Sequence, residues 1–437
     1  MVLVIAVVLY LAPLLLYAPL TDPDEGLHAA ISQEMVEGGD WIVPRFLGRA
    51  FLDKPILFFW TQAASIRAFG MNTAAARLPG MVFALLGIAT TGWLAATLFD
   101  RRIGWIAAAC YATMVLPFLL AQAPVHDIAI VPFTNLALVF LWRSRWTLAG
   151  VVLGLSILTK GLEGMAIVGA GYASYLLLTR ALTWRLVIRG ALVVAIAAII
   201  AMPWYVVMNA RAPGYLHYYF VDRHLLGFAT ATQEHHGQPW WYYLPLVVGG
   251  GLPWMALIGL AGRKAPPYTL VWTWLLAALV LLTLSQSKAV TYILPATPAI
   301  AILAAASPLV QRRWRPVALT TTAVFAAALF AFGPSLAEAH SARDLAAYFN
   351  SSRLPKTIFV FDQRVSFVYY LQPNVRRQLH ADRIQSVSVE QLAAMQPFPH
   401  DAVVTIPADL ASTRIPLIPP LAHATWDHAG RFVVLIP

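Results

Sequence analysis

The stretch Thr21-Asp-Pro-Asp-Glu-Gly-Leu-His28 decides how this chain is read, because of what stands on either side of it. Before it runs an apolar segment at residues 2–20, and after residue 78 another begins. Between them the chain is polar through Gly39-Asp-Trp-Ile-Val-Pro-Arg45, Phe51-Leu-Asp-Lys-Pro-Ile56 and Ala76-Arg-Leu-Pro79. Asp22, Asp24, Glu25, Asp53 and Lys54 gather charge in a chain of 437 residues that is only 11% charged and 59% hydrophobic. With mean hydropathy +0.68, that composition excludes a soluble globular domain and predicts a polytopic helical membrane protein.

Working outward, apolar runs recur at lengths that cross a hydrocarbon core of ~30 Å as helices. About eleven such spans are expected by run length, near residues 2–20, 78–98, 103–121, 125–142, 147–161, 163–179, 187–207, 242–261, 268–284, 290–307 and 316–333. The first lacks a basic flank and a small-residue cleavage site and reads as a retained helix. The net charge of +10 lies in short clusters between runs, such as Arg101-Arg102, Arg180 with Arg185 and Arg189, and Arg312-Arg313 with Arg315. That is the positive-inside pattern, so the surplus reports topology and not nucleic acid. With the clusters cytoplasmic, the polar loop at 21–78, the loop at 208–241 and the C-terminus face outward. In a bacterial inner membrane, outward is the periplasm. The single Cys110 lies in an apolar run, which excludes an internal disulfide or a cysteine metal cluster.

The outward loop is expected to fold. Residues 24–37 space Leu27, Ala30, Ile31, Glu34 and Met35 as an amphipathic helix, and residues 55–69 predict a second, with Pro55 in its first turn. Both are expected along the membrane surface. The membrane domain is read as residues 1–333. Residues 334–437 are read as a small α/β domain, with a helix at 341–350 and strands at 357–361, 365–371, 402–406 and 432–436.

Asp22, Asp24 and Glu25 have two readings. A carboxylate at an apolar surface suits a general base, whereas acids at a helix start suit capping. Asp53-Lys54 reads either as a surface ion pair or as a lysine that holds a phosphate. Asp127 can cap a helix. Lys160 and Lys288 place positive charge on the outward side against the topological trend, and with Lys54 they suggest an anionic ligand. The loop at 209–241 holds His217, His224, His235 and His236 with Trp240 and Trp241, and Tyr242 and Tyr243 follow it. The aromatics read mostly as an interfacial belt, and the histidines could bind metal with Glu234 or Asp53.

The order of these motifs resembles the polyprenyl-phosphate-dependent glycosyltransferases of the GT-C fold. The resemblance is nearest to bacterial aminoarabinose transferases acting on lipid A, with protein O-mannosyltransferases more distant. It covers residues 1–310, on Asp24-Glu25, Glu34-Met35, Trp41-Ile-Val-Pro44, Asp53-Lys54-Pro55, Ala76 to Pro79, Leu158-Thr-Lys-Gly161, Pro203-Trp-Tyr205, Pro239 to Tyr243, Pro253-Trp254 and Ser285 to Lys288 followed by Tyr292-Ile-Leu-Pro295. The resemblance implies Asp24 as the base toward the acceptor and Lys54 on the donor phosphate, helped by Lys160, Lys288 and Tyr292. It implies that Asp127 positions the site and that Glu25 contacts substrate. Asp53 and His236 match positions where such relatives can hold a divalent metal, zinc or else magnesium or manganese. Relatives often carry an arginine where Leu27-His28 stands and Arg-Phe where Gly227-Phe228 stands; Arg223 or His28 are the candidates to replace them.

The implied activity is inverting transfer of a sugar from a polyprenyl-phosphate donor to lipid A, a glycan or a protein. No nucleotide is needed, and a monomer is expected. The competing readings are a flippase for a lipid-linked sugar, which should carry ionisable groups or broken helices at mid-bilayer, and a glycan ligase or polymerase.

Overall fold

The structure, a computed structural model, describes residues 1–16, 18–122, 126–230, 237–258, 265–361, 363–395, 399, 401–418, 421 and 424–436. Four helices are long and apolar enough to cross a membrane: Thr73–Leu98, Trp184–Arg211, Pro266–Leu284 and Pro308–Ala339. The pair Arg101–Ala112 and Val115–Gln122 makes a fifth if its 57° bend lies within one span. Shorter apolar helices lie at Val2–Leu14, His126–Trp142, Trp146–Lys160, Glu163–Leu178 and Val290–Ala306.

The expected runs therefore fold as helices, with two departures. Several stop at 15 to 17 residues, which at 1.5 Å per residue is about 22–26 Å and short of a full hydrocarbon core. The run at 242–261 is broken into Tyr243–Gly250 and a 3-10 turn at Trp254–Leu257. Gly249-Gly-Gly251 followed by Pro253 explains the break: three glycines favour the coil, and the proline lacks the N–H that would continue the ladder.

The chain forms two compact units. The first comprises Met1–Leu15, Leu52–Thr61 and Arg77–Ala328, and the second Leu16–Phe51, Gln62–Ala76 and Leu329–Pro437. The C-terminal division falls at 328/329, near the expected 333, but Leu16–Phe51 and Gln62–Ala76 of the outward loop group with the C-terminal residues.

In the first unit, buried polar groups join helices as they do where no water is at hand. Asn135 Nδ2 donates to Thr90 Oγ1 at 3.1 Å and Thr91 Oγ1 at 3.0 Å. At the break in the bent pair, Trp254 Nε1 donates to Thr113 Oγ1 at 2.9 Å, and Tyr10 donates its hydroxyl to the Ala112 carbonyl at 2.9 Å.

In the second unit, the helix Asp24–Gly38 forms as predicted, but it is not one-sided. Polar Ser32 and Gln33 are buried along with Ala29, Ala30 and Ile31. Ser32 Oγ donates to Gln62 Oε1 at 2.7 Å, and Gln62 Nε2 donates to the Ala76 carbonyl at 2.9 Å. Glu34 accepts from the N–H groups of Leu47 and Gly48 at 2.7 and 2.9 Å. These two residues, at φ 51° and 82°, form the turn between β1 (Arg45–Phe46) and β2 (Arg49–Ala50).

The C-terminal sheet has strands β3 (Thr357–Phe361), β4 (Ile384–Val387), β5 (Ala402–Pro407), β6 (Thr425–Ala429) and β7 (Phe432–Ile436), in the order β4-β3-β5-β7-β6. The three strands β4, β3 and β5 are parallel, and β7 and β6 complete the sheet antiparallel. The strand expected at 365–371 is instead a helical turn, Phe367–Tyr370. Phe367, Val368 and Tyr369 are all buried in succession, so the side chains do not alternate between faces as a strand requires.

Candidate active site

In the first unit, a cavity of about 500 Å3 is lined by Asp53, Lys54, Lys160, Glu163, Arg223 and Tyr292 among its polar residues. Its apolar wall includes Ile167, Phe220, Phe228, Leu281 and Leu282. An apolar cavity with a few converging polar groups is the form expected of a small-molecule site.

Lys160 ends the helix Trp146–Lys160 and is almost wholly buried. It donates to Asp127 Oδ1, and its Nζ lies 2.8 Å from Glu163 Oε2. Its ammonium also stands 4.2 Å from the centroid of the Tyr292 ring. A buried ammonium needs such compensation. Glu163 reaches it because it opens the next helix three residues on, across the turn at Gly161.

That turn depends on glycine. Gly161 has φ +75°, and a Cβ there would lie 2.4 Å from His224 Nε2 and 2.6 Å from the Tyr219 hydroxyl oxygen. His224 Nδ1 donates to the Tyr219 carbonyl at 2.7 Å, which leaves Nε2 to accept from the Leu162 N–H at 3.3 Å. Burial lowers the His224 pKa, and the charges of Arg223, Lys54 and Lys160 add to that shift. The ring is therefore a neutral structural link between the turn and the helix His217–Leu226.

Asp53 accepts from the Tyr218 hydroxyl and faces Arg223 Nη1 at 3.8 Å. Lys54 beside it is half-buried, and among the described residues no carboxylate pairs with it. The cavity thus holds two cations within 4 Å of a carboxylate, Lys160 and Arg223, and a third, Lys54, that forms no ion pair among the described residues although its charge acts on Asp127 and Glu163.

The remaining predicted residues fall as follows. Asp127 is buried behind the lining, against Lys160. Lys288 is buried and folds back to donate to the Ser285 carbonyl, and its side chain is not part of the cavity wall, although Ser285 and Ser287 are. Asp24 and Glu25 belong to the second unit. There Glu25 is buried and accepts from the Thr21 N–H at 2.7 Å and the Thr21 hydroxyl at 3.0 Å. Asp22 accepts from the Ser366 N–H at 2.6 Å, the Ser366 hydroxyl at 2.7 Å and the Ala342 N–H at 3.1 Å. Asp24 is exposed in the first turn of its helix, with no partner among the described residues.

His236 lies outside the described residues. Among those described, no group of three His, Cys, Asp or Glu side chains is placed to hold a metal ion. Asp53 faces the Arg223 guanidinium and the Tyr218 hydroxyl there.

Sequence reading missed Glu163, Tyr218 and Tyr219. The signal for Glu163 was its spacing, a carboxylate three residues after a lysine at a helix end. Tyr218 and Tyr219 were hidden in a segment whose aromatics read as an interfacial belt.

The dolichyl-phosphate-mannose-protein mannosyltransferase family matches residues 53–207. The chain is 33% identical over 308 residues to the undecaprenyl phosphate-alpha-4-amino-4-deoxy-L-arabinose arabinosyl transferase of Aeromonas salmonicida, covering 66% of this chain and 56% of that one. It is 34% identical over 313 residues to the protein of the same name from Pseudomonas aeruginosa, covering 67% and 56%. The chain thus spans little more than half the length of these curated relatives. Its fold matches the crystal structure of ArnT from Cupriavidus metallidurans bound to undecaprenyl phosphate, with TM-score 0.77, 22% identity, and 99% and 97% of the two chains covered. It also matches the Archaeoglobus fulgidus oligosaccharyltransferase in the apo form, with TM-score 0.58, 13% identity, and 100% and 74% covered. The chain therefore has the GT-C fold, and over about two thirds of its length its sequence is similar to the aminoarabinose transferases, as its motif order implied.

Proposed function

We propose that the chain is an inverting glycosyltransferase of the bacterial inner membrane. It takes a sugar from an undecaprenyl-phosphate donor and passes it, on the periplasmic face, to a hydroxyl or phosphate of an envelope acceptor such as lipid A, a glycan or a protein. The observation that carries this reading is Lys54, a half-buried ammonium without a carboxylate partner among the described residues, in the wall of an apolar cavity. A sugar phosphodiester on a long hydrocarbon tail matches that combination of one open cation and apolar walls.

In this reaction the acceptor oxygen forms a bond to the anomeric carbon as the bond from that carbon to the phosphate oxygen breaks. The electron pair leaves with the polyprenyl phosphate, whose charge grows. Lys54 meets that growing charge, with Arg223 and Lys160 adding to the field in a cavity with largely apolar walls. Attack opposite the leaving phosphate inverts the anomeric centre. Asp24 is the base for the acceptor proton. Motif order supports that role, and so does its carboxylate, which stands exposed where Asp22 and Glu25 are engaged by backbone groups.

The test is transfer by the purified chain in lipid vesicles, given an undecaprenyl-phosphate sugar and lipid A and read by product mass. Lys54→Ala should weaken donor binding about 10- to 100-fold, the range for a hydrogen bond to a charged group. Unchanged donor affinity would remove Lys54 from the phosphate. Comparing lipid A and glycan masses between a deletion strain and its complement identifies sugar and acceptor together.

A further inference from the structure

A second, strongly basic concavity of the first unit is separate from the cavity just described. It encloses about 880 Å3 and is lined by Arg101, Arg102 and Trp105 from one helix start and by Arg312, Trp314 and Arg315 from another. Four guanidiniums line it, and no carboxylate does. Among the described residues none of the four forms an ion pair. By contrast, Arg143 donates to Thr97 Oγ1 at 3.1 Å, and Arg376 pairs with Glu37.

Solvated arginines at helix ends would satisfy the positive-inside trend without forming a cavity. Here they line a hollow with an apolar collar beside it. Leu3 and Trp105, both in the lining, are 76% and 55% exposed, and Leu309, three residues before Arg312, is 52% exposed. The complement of that surface is an amphiphile with more than one negative oxygen cluster at its head and hydrocarbon beneath. Guanidinium forks bind phosphate oxygens in pairs, and basic pockets between membrane helices suit phosphorylated lipid heads.

We propose that this cavity binds the headgroup of an anionic phospholipid, with preference for one carrying two phosphates of the diphosphatidylglycerol type. The site is independent of the transferase reading and stands whether or not the chain transfers a sugar. Trp105 and Trp314 take the interfacial level beside the head, and the exposed leucines meet the acyl chains.

The experiment is native mass spectrometry of the purified, delipidated full chain, titrated with diphosphatidylglycerol, with phosphatidylcholine and with inorganic pyrophosphate. Diphosphatidylglycerol should be retained at least about tenfold more tightly than phosphatidylcholine. The double variant Arg312→Ala with Arg315→Ala should lose about thirtyfold in that affinity, the combined weight of two arginines near an anionic lipid. Replacing both by lysine should lose less, and this variant keeps the charge should the alanine pair fail to fold. Arg180→Ala with Arg185→Ala, a basic cluster outside the cavity, should change affinity by no more than about twofold. Equal loss in the two alanine pairs would reduce the effect to general adherence and overturn the site. Pyrophosphate that binds as tightly and displaces the lipid would make it a soluble-anion site, and no preference over phosphatidylcholine would end the proposal.

Discussion

In the stretch at residues 21–28, carboxylates are engaged by N–H and hydroxyl donors; in the cavity around Lys54, they are engaged by cations and a tyrosine. Asp22 binds Ser366 and Ala342, and Glu25 binds Thr21, which leaves Asp24 exposed. Asp127 and Glu163 hold Lys160, and Asp53 takes Tyr218 and faces Arg223, which leaves Lys54. Each region ties most of its charged groups into hydrogen bonds or ion pairs and leaves one outside them among the described residues. The difference in sign is the lesson: one region leaves an exposed carboxylate, and the other leaves an ammonium outside any ion pair among the described residues.

The sharpest way to break this comparison is Asp24→Asn. With Asp24 as general base, turnover should fall at least about 100-fold, while donor affinity and thermal stability stay near those of the parent. Retained turnover would place the base elsewhere.

Lys160→Ala should act on the opposite property. It strips two carboxylates of their buried cation, and the loss of one partner from a buried pair costs about 3–5 kcal/mol. The expected readout is a clear fall in Tm, whereas Lys54→Ala, tested above for binding, leaves Tm nearly unchanged. Equal Tm values for both alanine variants would erase the distinction between a structural and a free lysine.

The smallest effect belongs to Asp22. Burial pushes its carboxyl up to about 6, against the opposing pull of the Ser366 donors and Arg364. The folded value lies above the ~3.9 of a free aspartate, so protonation favours the folded unit. That contribution is complete below about pH 4 and is lost as pH rises through 6. Asp22→Asn should flatten the pH 4–6 dependence of Tm, and an unchanged slope would assign it to another group.

How much of this was legible in the sequence follows from what each residue had to signal. Run length exposed the membrane helices because hydrophobic cores leave long unbroken runs. It did not show that Gly249 to Gly251 and Pro253 would cut one of them. In the sheet, β3, β5 and β7 are buried and apolar and stood out. β4 and β6 are edge strands with mostly exposed residues, Gln385 and Ser386 in one and Thr425 to His428 in the other, and they carried no such signal. In the site, Lys54, Lys160, Arg223 and Tyr292 were legible because charge and motif order are sequence properties. That Lys288 turns back on Ser285 was not, because it depends on a loop carbonyl left open at a helix end.

The contact of Asp22 and Gly26 with Ser366 bears on how this chain can be cut and joined. A Cβ on Gly26 would lie 2.3 Å from the Ser366 Cβ and 2.6 Å from its Cα, so position 26 fits against residue 366 only as glycine. Residues 21–26 and 366 therefore form one inheritable part, although 340 positions separate them. A chimera that borrows its C-terminal third from a relative must borrow the opening of the helix Asp24–Gly38 as well. A truncation near residue 333 would remove the seat of that helix and not a detachable appendage.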